Sequence, residues 1–272
     1  MPGVRSSSGT LICLASGAAF GAMAIFGKLA YDEGASVGTL LSVRFTLAAA
    51  LFWALSGRGA VRTLGRRDVL AGLALGAGGY ALQAGCYFAA LERIDASLLS
   101  LLLYTFPAIV AAAAVALGRE RIDGRRLAAL GLGAAVVYSA YILVGDGVAR
   151  RVPARELATL VCTGAAVSLT AGSLLLGDLR PGALTPVGWG WLASLAAIST
   201  VGAISLFFAG LRRVGPTAAS ILATVEPLVT VVLAFLVFDE ALEAVQVAGG
   251  VLLLAAVPVL QGGRANDDRS TA

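Results

Sequence analysis

The sequence predicts an all-α, polytopic membrane bundle with nine recognisable transmembrane segments, and three observations carry that prediction. Of its 272 residues, 58% are hydrophobic and only 13% charged, against about a quarter charged in soluble proteins. Nine apolar stretches run to about 18 residues or more, the length a helix needs to cross a bilayer. The connections between them are short and leave no room for a separate soluble domain. A soluble helical bundle would need a polar face on each helix, and these stretches lack one.

The first stretch, residues 10–30, follows a Ser-rich N-terminus. It is too long for a signal-peptide core and leads straight into more helices, so it reads as a retained first helix. The second, 38–55, carries Arg44 near its middle. The third, 69–91, places Tyr80, Gln83 and Tyr87 on one face at i, i+3, i+7. The fourth, 96–117, holds Tyr104, Thr105 and Pro107. A fifth, 127–148, includes Tyr138 and Tyr141; a sixth spans 157–176. The seventh, 187–211, contains Ser199 and Thr200. The eighth, 217–238, contains Thr224, Glu226 and Pro227, and the ninth is 244–260. The polar ends, 1–9 and 262–272, read as disordered tails.

A charge at mid-bilayer costs a few kcal/mol even on the mildest scale, so Arg44 and Glu226 should face the protein interior or a water-filled cavity. Glu226 could exchange a proton or bind a cationic group while Arg44 binds an anionic one. A structural ion pair, or an Arg reaching the membrane edge, is the competing reading. Gln83, Tyr87, Tyr104, Tyr141 and Thr224 either line a cavity or hydrogen-bond a neighbouring helix. Pro107 and Pro227 each remove a backbone hydrogen bond, as hinges or as packing kinks. Gly17-xxx-Gly21 and Gly72-xxx-Gly76 have the spacing that lets helices approach closely. With 34 glycines in the chain, such spacings also arise by chance.

Several functions are excluded. The chain has no histidine, and Cys13, Cys86 and Cys162 are isolated within apolar stretches. A zinc, haem or iron–sulfur site is therefore not expected, nor any other cofactor. The net charge of +4 comes from basic residues at helix ends, where they orient helices rather than bind nucleic acid. Ser–His and HExxH proteolysis lack their histidines. Tyr31-Asp32 and Gly145-Asp146 faintly match an intramembrane aspartyl protease, but Leu143 replaces the first glycine of GxGD. Gly76-Ala77-Gly78-Gly79 lacks the Lys-Ser/Thr of a phosphate loop. An enzyme is not expected.

Shifted by about 120 residues, the chain matches itself. Phe88-Ala89-Ala90-Leu91-Glu92-Arg93 aligns with Phe208-Ala209-Gly210-Leu211-Arg212-Arg213, and Ser100, Leu102, Pro107 and Glu120 align with Ser220, Leu222, Pro227 and Glu240. Two weakly similar halves are the usual trace of a transporter built from repeats around a central site.

On these residues the chain resembles the EamA-type members of the drug/metabolite transporter superfamily. The first-helix run Phe20 to Leu29, the Arg44-Phe45 pair, Ala89-Ala90-Leu91 through Pro107, the exit Gly118-Arg119-Glu120-Arg121, and Glu226-Pro227 with Asp239-Glu240 carry the resemblance. It implies a small-molecule carrier of ten helices in two inverted five-helix halves. Both termini would be cytoplasmic, with a substrate cavity between the halves and export as the commoner direction. The halves would run over residues 10–130 and 131–261, in a bacterial inner membrane. The expected partners are a small-molecule substrate and the lipid bilayer; a coupling proton and a homodimer stay open.

One segment departs from that pattern. The family would place two helices between Arg126 and Arg150, and residues 127–149 number 23. That length crosses a core of ~30 Å once, where two crossings need about 40 residues. With ten crossings, 16 basic residues fall inside and three outside, Arg44 lying between; with nine, the split is 10 to 9. The loops suit ten helices and the length supplies nine. The segment could cross once and flip the second half, another segment could fail to cross, or 127–149 could form a re-entrant hairpin at a backbone cost. The single crossing is preferred here; a carrier of a small metabolite or drug working by alternating access is the expected function, and a truncated, non-transporting membrane protein with a misoriented second half is its alternative.

Overall fold

The computed structural model describes residues 7–103, 148, 151–214 and 216–240. Helices α1 (Ser7–Gly21) and α2 (Met23–Asp32) form one rod: Ala22 N donates to Ala18 O and Phe26 N to Ala22 O, both at 3.0 Å, so the ladder runs through the turn at Ala22. Next come α3 (Val37–Arg62), α4 (Arg66–Ala74), a π turn (Leu75–Tyr80), α5 (Ala81–Leu91) and α6 (Ala96–Leu103). The second half has α7 (Ala154–Leu175), α8 (Pro186–Ala196), a second π turn (Ala197–Gly202), α9 (Ala203–Val214), α10 (Pro216–Ala223) and α11 (Val225–Phe238). Tyr104, Thr105, Pro107, Tyr138, Tyr141 and the ninth stretch lie outside the described residues.

Among the described residues, Ser8–Asp32, Val37–Ser56, Arg66–Leu91, Ala154–Leu175 and Pro186–Val214 are long and apolar enough to cross a membrane, and Val225–Phe238 is a shorter apolar helix. The polarity is that of a membrane protein. Leu11, Leu70, Leu82, Leu174, Leu175 and Leu236 are exposed, whereas Ser42, Arg44, Thr159, Thr200 and Thr230 are buried. In lipid, polar groups must find their partners inside the bundle.

The two halves are interleaved. The most extensive helix pairing is α3 on α7, fastened by Trp53 Nε1 donating to Thr163 Oγ1 and by the Ser56–Thr159 hydroxyl pair, both at 3.1 Å. Both small-residue spacings sit at helix contacts. A Cβ on Gly72 would stand 2.9 Å from the Leu160 side chain, and one on Gly76 would strike the Val161 carbonyl. On α1, a Cβ on Gly21 would stand 2.8 Å from the Glu226 carbonyl oxygen, so α1 and α11 touch backbone to backbone there. Glycine is what permits that approach.

Local signals set the helix ends. Ser36 caps α3 by accepting from Thr39 N at 3.2 Å, and Thr185 caps α8 by accepting from Gly188 N at 3.1 Å, with Pro186 in the first turn. Asp239, at φ 56°, ends α11 in the left-handed conformation.

These contacts define two ends of the bundle. One gathers Arg62, Arg66, Arg67, Arg151, Arg155, Arg212 and Arg213 against Asp68 and Glu156. The other gathers Asp32, Glu33, Glu92, Asp95, Asp178, Asp239 and Glu240 against Lys28, Arg93 and Arg180. At the acidic end Asp178 joins the halves: its carboxylate accepts from Gly38 N at 2.7 Å, and its carbonyl accepts from Ser36 Oγ at 2.5 Å. The anionic side chain thus lies on the positive end of the α3 dipole.

At the basic end, Arg151 Nε pairs with Asp68 Oδ1 at 3.2 Å, and Val148 and Val152 pack with Leu75 and Val161. This corrects the flipped second half. A single crossing by 127–149 would have delivered Arg151 to the acidic end, and it stands instead beside Asp68, at the end where α3 stops and α4 starts. The second half therefore keeps the orientation that ten crossings would impose, although 127–147 and 149 lie outside the described residues.

Candidate functional site

Arg44 lies in the third turn of α3, about 10 Å along its axis. Its side chain is buried, with 3% of the residue exposed. Nε donates to Thr200 Oγ1 across the two halves at 3.0 Å, and the guanidinium lies 4.8 Å from the Phe45 ring centre and 5.1 Å from that of Phe88. Two flat aromatic faces hold a flat cation, and a hydroxyl sets its rotation. Neither an ion pair with a described carboxylate nor a reach to the membrane edge describes Arg44.

Thr200 holds that position because of the second π turn. Its hydroxyl proton goes to Leu195 O five residues back, at 3.0 Å, which leaves the oxygen's lone pairs for Arg44. Residue 199 in the same turn is fully buried, and among the described residues Ser199 Oγ is the one buried side-chain polar atom without a hydrogen-bond partner. The two π turns fall at matching places in the halves, within two residues of the 120-residue register. Single π turns inside α-helices recur at functional sites. They had no signal in the apolar pattern beyond the third stretch's run of glycines, and the partnership of Thr200 with Arg44 spans 156 residues.

Pro227 breaks the eighth stretch. It lacks an N–H, and its ring would clash with the carbonyl four residues earlier, which belongs to Ala223. There α10 ends, Thr224 forms the turn, and α11 begins at Val225. Glu226 falls in the first turn of α11, at the positive end of its dipole. The broken segment is held to α1 by Thr230 Oγ1, 3.0 Å from Gly21 O and 3.1 Å from Glu226 O.

The tyrosines of the third stretch stand beside the aromatic pair that flanks Arg44. Tyr80 packs edge-on to Phe45 with ring centres 5.4 Å apart, and Tyr87 to Phe88 at 5.2 Å. Gln83 is half-buried on the same helix. Thr224 is half-buried at the helix break. Tyr104, Tyr141 and Pro107 lie outside the described residues. Of the aspartates weighed for proteolysis, Asp32 is exposed at the end of α2 and Asp146 lies outside the described residues.

The acidic exit after α11 is also placed. Glu240 Oε1 meets Lys28 Nζ at 2.5 Å, and Oε2 accepts from Ser97 N and Oγ, each at 3.1 Å. Lys28 also lies 3.7 Å from Asp95.

An uncharacterized transporter of Archaeoglobus fulgidus is 28% identical over 224 residues, covering 72% of this chain and 78% of its own. A crystal structure superposes with a TM-score of 0.62 at 17% identity, over 93% of this chain and 96% of that one, which is a likeness of fold. The profile of the EamA-like transporter family matches twice, over residues 7–133 and 125–260, the two matches sharing 125–133. Two matches that together span nearly the whole chain make it a multi-pass membrane protein with two such repeats, and it belongs to the EamA-like transporter family.

Proposed function

We propose that the chain is a carrier that moves a small solute through a central cavity between its halves by alternating access, in the export direction. The observation that supports this most directly is the Arg44–Thr200 contact, which places a buried cation of the first half on a π turn of the second. A carrier of this kind rocks one repeat against the other around a site near the membrane midplane. Glu226, at the head of a half-helix, is proposed as the group that takes a coupling proton, and Pro227 as the hinge beside it.

The basic end is proposed to face the cytoplasm, following the positive-inside bias, in a bacterial inner membrane. The halves are proposed to run over residues 10–130 and 131–261. A catalytic role is not part of this reading.

The test is transport by the purified chain in sealed vesicles loaded with a mixture of small metabolites, followed by mass spectrometry of what leaves. Release of a subset, lost in Glu226→Gln and slowed in Pro227→Ala, is the expected result. Vesicles that retain every solute as protein-free ones do would overturn the reading.

A further inference from the structure

We infer that the solute carries an anionic carboxylate, and that Arg44 binds it through the two Nη atoms of its guanidinium. The inference rests on the carrier reading and adds the chemistry of its cargo.

Among the described residues, Arg44 meets only part of what a buried guanidinium needs. A buried guanidinium has five N–H donors, and among the described residues only Nε has an acceptor, the Thr200 hydroxyl. The aromatic rings stand 4.8 and 5.1 Å from it and offer no oxygen or nitrogen acceptor. No carboxylate of a described residue lies within ion-pair distance of it. A buried cation without an anionic partner is costly, and a family of neutral contacts offsets only part of that cost. The edge that carries both Nη atoms is the edge that grips a carboxylate through two parallel hydrogen bonds.

Two further features favour a bound anion. The Thr200 proton is committed to Leu195 O, so its oxygen accepts from Arg44 Nε and leaves the Nη side for another acceptor. Its neighbour Ser199 presents a buried hydroxyl without a partner among the described residues, a donor of the kind that a bound oxyanion would satisfy.

The test uses matched probes on the full chain in detergent: acetate, butyrate and benzoate, each beside its amide and its corresponding amine, scored by the shift of the thermal unfolding midpoint. At least one carboxylate is expected to stabilise the wild type where its amide and amine do not. Half-saturation should weaken by roughly tenfold to a hundredfold in Arg44→Gln, the loss of charge-assisted hydrogen bonds, and by less in Arg44→Lys, which keeps the charge and guards against a mere folding defect. Equal shifts from carboxylate and amide, no shift from any carboxylate at ~10 mM, or an unchanged response in Arg44→Gln would overturn the inference. An amide that is moved across vesicles would remove the carboxylate and leave the carrier standing. Carboxylates that stabilise the chain but never cross would remove the carrier and leave the site.

Discussion

Lys28 Nζ stands 2.5 Å from Glu240 Oε1, and through that contact the first span of the chain is fastened to the end of α11 at the acidic end of the bundle. The side chains are only 21% and 9% exposed, so the pair is shielded from the solvent that makes surface ion pairs nearly worthless. A double-mutant cycle with Lys28→Met and Glu240→Gln should return a coupling of about 1–3 kcal/mol, read from unfolding of the purified protein. A coupling near zero would reduce the contact to a surface pair.

The same carboxylate sets an acid limit. Partial burial works against its charge, but the hydrogen bond from Lys28 and those from the Ser97 and Ala96 backbone outweigh that and hold Glu240 below the usual carboxylate range. The folded chain then binds this proton less readily than the unfolded one. Its stabilisation is complete above the unfolded carboxylate value of ~4.3 and is lost as pH falls through the lower folded value. The wild type should therefore lose stability more steeply than Glu240→Gln over that acid window, and parallel curves would count against this account.

The Arg151–Asp68 pair predicts a sidedness. In a background without Cys13, Cys86 and Cys162, single cysteines at Arg67 and Arg151 should react with an impermeant thiol reagent from the same face of the membrane. One at Asp178 should react from the opposite face. Labelling at Arg151 from the Asp178 side would restore the flipped second half.

Close backbone contact predicts a graded response to added methyl groups. Gly21→Ala sets a Cβ 2.8 Å from the Glu226 carbonyl and should cost about 1–3 kcal/mol, the usual penalty for overpacking. Gly85→Ala meets open space and should be neutral or stabilising by up to ~1 kcal/mol, since alanine is the better helix former. Equal effects in thermal unfolding would show that α1 and α11 do not touch there.

Thr200→Val removes the acceptor of Arg44 Nε while keeping the side-chain shape. Leaving that buried donor unpaired should cost about 1–3 kcal/mol, and Thr200→Ser should recover most of it. A valine variant as stable as the wild type would mean that the hydroxyl does not hold the guanidinium.

By itself the sequence determined that the chain is helical and membrane-embedded, that it is built from two related halves, and that Arg44 is an interior charge. Those properties are local or additive: apolar length, loop charge, and the cost of a charge in hydrocarbon can be read one segment at a time. Pro227 was legible for the same reason, since a missing N–H and a ring clash break a helix wherever they occur. Which way the second half runs was not. The length of residues 127–149 argued for one crossing and a flipped second half, yet Arg151 stands with Asp68, a contact between distant segments that the length of one segment does not show. Nor could periodicity find Thr200 as the partner of Arg44. That contact depends on a π turn, where one backbone step out of phase aims a hydroxyl across 156 residues of chain, and only the packed tertiary structure decides where such a step falls.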